Sequence, residues 1–118
     1  MSTLAVIVVA LVALLHAYFL VLEMFLWTKP AGRRAFGTTQ EQAEQSKVLA
    51  MNQGLYNGFL AAGLLWGLTL GAAGRGVVIF FLICVIVAGV FGAVTASRKI
   101  LYVQALPAAV ALVMWVMA

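Results

Sequence analysis

Residues 4–27 read LAVIVVALVALLHAYFLVLEMFLW, and that stretch decides the fold. No charge interrupts it before Glu23. As a helix rising about 1.5 Å per residue, it is long enough to cross about 30 Å of hydrocarbon. It is too long for a strand and does not alternate apolar with polar residues. It also lacks a basic segment ahead of it and exceeds the length of a signal-peptide core, so it reads as a retained helix. Three further apolar runs follow at about 48–72, 77–96 and 100–118. The sequence therefore predicts an all-α polytopic membrane protein. It reads as a single four-transmembrane-helix bundle over residues 1–118, with a polar cytoplasmic loop at 28–47.

Composition points the same way. Of 118 residues, 66% are hydrophobic and only 8% charged, against about 25% charged in an ordinary soluble domain. A soluble fold of this size would lack the polar groups to cover itself. The net charge of +4 is no nucleic-acid signal, because Lys29, Arg33, Arg34, Lys47, Arg75, Arg98 and Lys99 all lie at the ends of the apolar runs. Membrane proteins keep their positive charge there. The expected partner is the lipid bilayer, with no nucleic acid. Cys84 is the sole cysteine and sits inside an apolar run, which excludes an intrachain disulfide and a cysteine metal motif. It reads as a small packing residue.

The connections set the topology. Thr28-Lys29-Pro30 ends the first span, since proline cannot continue a helix. Thr38 and Glu41 have capping-box spacing, so a short helix is expected to begin there and lead into the second span. Ala35 and Phe36 are expected at the membrane interface. Gly74-Arg75-Gly76 reads as a tight turn, and Ser97-Arg98-Lys99 as another short connection. Four basic residues follow span one and two follow span three, whereas the opposite side has Arg75 alone. The positive-inside rule then places both basic connections in the cytoplasm and both termini outside. Trp27, Trp66 and Trp115 fall near span ends, as interfacial anchoring and packing residues do.

Small residues suggest how the helices pack. Gly54-Gly58 and Gly63-Gly67-Gly71 repeat at four-residue spacing in span two, and Ala88-Gly92-Ala96 in span three. Such rows let helix backbones approach closely. The two glycine rows of span two point in nearly opposite directions, so that helix should contact two neighbours. A homodimer through the Gly/Ala faces of spans two and three is one way to supply the second.

The residues that could carry chemistry are the polar ones within the spans. His16 and Glu23 are seven apart and share a helix face. Asn52, Gln53, Tyr56 and Asn57 form a broad polar arc on span two. Span four offers Tyr102 and Gln104, with Pro107 able to free a backbone carbonyl near Val103. Helical rise puts Glu23 roughly 10 Å from the midpoint of its span, Asn52 and Gln53 near the same depth, and His16 near the midplane. Tyr102 and Gln104 lie roughly 7–10 Å off-centre on the same side. Four helices thus place their hydrogen-bonding groups in one half of the membrane. That predicts a polar pocket in the cytoplasmic half with His16 at its floor.

Glu23 is the strongest single signal, because a carboxylate in a span is costly and marks function by default. Arg98 or Lys99 is the candidate charge partner. The competing account is a buried Glu–Arg pair or Glu–Asn network that locks packing, and the amide cluster admits the same account. One His and one Glu are too few for a metal site, and no metal or cofactor is expected. No Gly-rich phosphate loop, nucleophile elbow or HExxH is present.

The segments Leu22-Glu23-Met24-Phe25-Leu26-Trp27-Thr28, Asn52-Gln53-Gly54-Leu55-Tyr56-Asn57-Gly58 and Gln104-Ala105-Leu106-Pro107-Ala108 resemble a widespread bacterial family of short four-helix membrane proteins, catalogued as a domain of unknown function. The resemblance covers nearly the whole chain. It implies a multi-pass protein of the bacterial cytoplasmic (inner) membrane and assigns no activity. Three functions stay open: transport or binding of a small polar or cationic solute, a membrane-embedded enzyme using a Glu/His pair on an apolar substrate, and a structural or regulatory role without a small-molecule site.

Overall fold

The computed structural model describes residues 2–118. The described residues are helical almost throughout, with no strand among them. The order is α1 (Thr3–Met24), α2 (Pro30–Phe36), α3 (Gln40–Thr69), a 3₁₀ turn (Gly71–Gly74), α4 (Arg75–Thr95), the single turn α5 (Arg98–Ile100), a π-helical turn (Leu101–Ala105) and α6 (Leu106–Met117). Three stretches are long and apolar enough to cross a membrane: Thr3–Met24, Gly71–Thr95 and Arg98–Met117. α3 is the longest helix at 30 residues. It is not among the three, because its polar start and the Asn52–Asn57 arc dilute its apolar character.

Several boundaries differ from the sequence reading. α1 ends at Met24, so Trp27 lies beyond it in a turn. The Phe25 and Leu26 amides both donate back to the Val21 carbonyl, which closes the helix early. Pro30 does not terminate α1 but opens α2 in its first turn, where the missing N–H costs nothing and the fixed φ suits a helix. The capping box is one residue later than Thr38/Glu41. The Thr39 amide donates to Gln42 Oε1 at 2.9 Å, and the Gln42 amide donates to Thr39 Oγ1 at 3.1 Å. Behind it runs one continuous helix, not a short helix followed by a span. The expected turn at Gly74-Arg75-Gly76 sits earlier, where Gly71 takes a left-handed φ of 63°. Arg75 and Gly76 already belong to α4.

The chain divides into two compact units: residues 15–59, and residues 1–14 together with 60–118. In the second, an apolar core joins Val9 and Ala13 of α1, Leu64 of α3, Val78, Leu82 and Val85 of α4, and Ala108, Ala111 and Trp115 of α6. α4 and α6 run antiparallel, with Gly89 against Ala105 at one level and Arg75 against Trp115 at the other. A Cβ at Gly89 would lie 2.7 Å from the Ala105 nitrogen, so only glycine permits this approach. Gly63 meets the Phe81 ring and Gly67 meets Val78.

Trp115 is not an interfacial anchor. It is fully buried, its Nε1–H donating to the Arg75 carbonyl at 3.2 Å. In return the Arg75 guanidinium donates to the carbonyls of Trp115 and Val116, both at 3.1 Å, and so caps the end of α6. Pro107 has the local effect its chemistry requires. It has no N–H to give, and the turn before it widens so that the Leu106 amide reaches back to the Leu101 carbonyl.

Candidate functional site

The polar residues of unit 15–59 are sorted by one stripe on α3. Ala43, Ala50, Gly54 and Asn57 are its buried positions. They are spaced so that small residues face the end of α1. A Cβ at Gly54 would come within 2.6 Å of the Met24 side chain and 3.1 Å of the Glu23 Cβ, and one at Gly58 within 2.6 Å of Leu20. The two helices are antiparallel and nearly touch. Both glycine rows of α3 are therefore filled from within the chain and do not call for a second copy. Gly71 contributes to neither, since it serves the turn.

That close approach brings Glu23 and Asn57 together. Glu23 is 3% exposed and Asn57 8%. The Asn57 Nδ2–H donates to Glu23 Oε1 in a short, buried hydrogen bond. His16 is completely buried on the face of α1 that carries Glu23, with its ring edge-on to Phe19 at 5.4 Å between centroids. Seven residues of helical rise separate His16 from Glu23 by about 10 Å, so no direct proton transfer links them.

The rest of the expected arc does not join them. Asn52, Gln53 and Tyr56 are exposed. The sequence held the signal for this distinction. Asn57 is the one member of the cluster in phase with Ala43, Ala50 and Gly54, whereas Asn52 and Tyr56 lie on another face. Gln104 and Arg98 belong to the other unit, Gln104 in the π turn and Arg98 exposed in α5.

Sequence reasoning did not find the seal over this end of the unit. Trp27 Nε1–H donates to Ser46 Oγ at 3.1 Å, and Ser46 in turn donates to the Gln42 carbonyl at 2.7 Å. The Trp27 ring packs against Phe36, 4.9 Å between centroids. Arg33 Nε donates to the Thr28 carbonyl at 3.2 Å. Gly32 lets α2 rest directly on the turn, since a Cβ there would collide with the Leu26 carbonyl and lie 2.9 Å from the Trp27 Cα. Trp27 and Arg33 thus hold the turn between α1 and α3 together.

All-helical build, three helices apolar enough for a bilayer and a buried polar pair define the class: a small helical protein suited to multi-pass contact with lipid. Within that class the chain belongs to the family described as "Protein of unknown function (DUF1304)", which matches residues 10–116. It is also similar to the "Uncharacterized protein YpaA" of Lactococcus lactis subsp. lactis (strain IL1403), 34% identical over 106 residues that span 88% of this chain and 89% of the relative. No solved structure matches the chain.

Proposed function

We propose that the chain is a single four-span domain of the bacterial cytoplasmic membrane, and that it binds a small polar or cationic solute at Glu23. α3 would be the remaining span, its amides tolerated because Asn57 turns inward. The connections holding Lys29, Arg33, Arg34 and Lys47, and Arg98 and Lys99, would lie in the cytoplasm, with both termini outside. Arg75 does not weigh against this orientation. Its guanidinium is engaged with the last carbonyls of α6, which is a tertiary reason for its place.

The observation that carries the binding reading is the company Glu23 keeps. Its partner is the neutral amide of Asn57, which orients the carboxylate but adds no charge. A carboxylate buried in an apolar helix is costly, and a cation, either a proton or a solute's, completes it. Asn57 would orient the group, Gln53, one turn away on nearly the same side of α3, would offer a polar approach, and His16 would close the floor. The distance between His16 and Glu23 favours binding over paired acid–base catalysis.

Glu23→Gln tests this, because glutamine keeps the size and can keep an acceptor toward Asn57. Titration of methylammonium and guanidinium into the wild-type protein in nanodiscs should show saturable binding. The variant should fold but lose roughly a hundredfold in affinity, as when one partner of a buried charge pair is removed. Equal binding by both proteins, or none by either, would leave the Glu23–Asn57 pair as a packing lock.

A further inference from the structure

Two grooves in unit 1–14/60–118 share a wall. The first, of about 430 Å³, is lined by Ile86, Val87, Val90, Phe91 and Val94. The second, of about 560 Å³, is lined by Val90, Ala93, Val94, Arg98, Leu101 and Tyr102. Val90 and Val94 belong to both, so the two form one furrow along α4. From Ile86 to Val94 it runs for about 12 Å at the helical rise, and the turn carrying Arg98 closes its end. Its walls are aliphatic along most of that length, and its polar groups are gathered at one end.

That end is a built corner. Ser97 caps α5 by accepting from the Lys99 amide at 3.2 Å, which turns the chain so that Arg98 and Tyr102 line the same mouth. The π turn ahead of Pro107 holds Leu101 and Tyr102, and such turns recur at functional sites. Among the described residues nothing accepts a hydrogen bond from the Arg98 guanidinium. Its five donors suit a phosphate oxygen pair, and an adjacent Tyr102 hydroxyl adds another.

We propose that this furrow seats an anionic phospholipid, its phosphate at Arg98 and Tyr102 and one acyl chain along Val94, Val90 and Val87. The match is one of charge and shape together. A cation at the mouth of an aliphatic trough fits an amphipathic anion, and basic pockets beside transmembrane helices hold lipid headgroups in this way. The proposal rests on the membrane placement of α4 and not on the solute site at Glu23.

The test is lipid retention. Protein purified from membranes is exchanged into an equimolar mixture of phosphatidylglycerol and phosphatidylcholine, and bound lipid is counted by native mass spectrometry. Wild-type protein should retain phosphatidylglycerol preferentially. Arg98→Gln should lower that preference roughly fivefold, the effect of one surface cation on an anionic lipid. Val90→Trp, which fills the trough and leaves the charge, should lower retention of both lipids. Glu23→Gln should change neither. Equal retention of the two lipids by wild-type protein, or an unchanged preference in Arg98→Gln, would overturn the proposal. Inorganic phosphate displacing the signal at millimolar concentration would overturn it too, by showing a free-anion site. Wild-type protein that stays dispersed without detergent would instead overturn the membrane reading itself.

Discussion

The two units join antiparallel helices by opposite means. In unit 1–14/60–118 the helices meet through aliphatic side chains and glycines, and the specific polar link is the reciprocal clasp between Arg75 and Trp115 at one end. In unit 15–59 the order comes from hydrogen bonds: Glu23 with Asn57, Trp27 with Ser46, Arg33 with the Thr28 carbonyl. Apolar packing is tolerant and roughly additive, whereas polar networks are worth little per bond but fix one arrangement. The first unit has the character of a scaffold and the second of a site.

The largest expected effect breaks the second unit without touching its polar groups. Gly32→Ala forces a Cβ against the Leu26 carbonyl, and neither backbone can swing away as a side-chain tip could. Overpacking of this kind costs about 3 kcal/mol. The thermal midpoint in detergent should fall by several degrees, and the fluorescence of Trp27 should report the loss. An unchanged midpoint would mean that α2 is not seated on the turn.

A matched pair of substitutions sharpens the comparison. Trp115→Phe removes a fully buried indole and leaves the Arg75 carbonyl without its donor, a loss of about 2 kcal/mol. Trp27→Phe removes one hydrogen bond from a half-buried ring and keeps the stacking on Phe36, a loss of about 1 kcal/mol. Urea unfolding of the two variants would rank them. The reverse ranking would show that the polar seal, not the aliphatic core, dominates stability.

The same contrast explains what could be read in the sequence. Apolar runs are a property of many residues at once, so the helices of the scaffold were legible to within a few positions. Single residues with two uses were not. Tryptophan suits an interface or a core, and only the Arg75 carbonyl brought near by the antiparallel pairing selects the core for Trp115. Proline ends one helix or begins the next, and at Pro30 it begins one. Gly71, Gly74 and Gly76 crowd one connection, and nothing local says which of them takes the left-handed turn. In the site, depth matching set Glu23 level with Asn52 and Gln53, about one helical turn short of Asn57, its actual partner. It could not divide the amides, because depth ignores rotation about the helix. The phase of Ala43, Ala50 and Gly54 carries that information.

The smallest effects test the start of α3, where the sequence offers two adjacent threonines. Thr39 is the cap: its hydroxyl accepts from the Gln42 amide while its own amide is held by the Gln42 side chain. Thr39→Ala should cost about 1 kcal/mol, the usual loss at such a position. Thr38 is placed differently. Its amide closes α2 by donating to the Arg33 carbonyl at 3.1 Å, but its hydroxyl is buried without a partner. A buried hydroxyl with nothing to bond is a liability that an isosteric methyl removes. Thr38→Val should therefore leave the thermal midpoint unchanged or raise it slightly, while Thr39→Val lowers it. If Thr38→Val is the damaging change of the two, the helix begins one residue earlier than the hydrogen bonds place it. The capping box would then revert to Thr38 and Glu41.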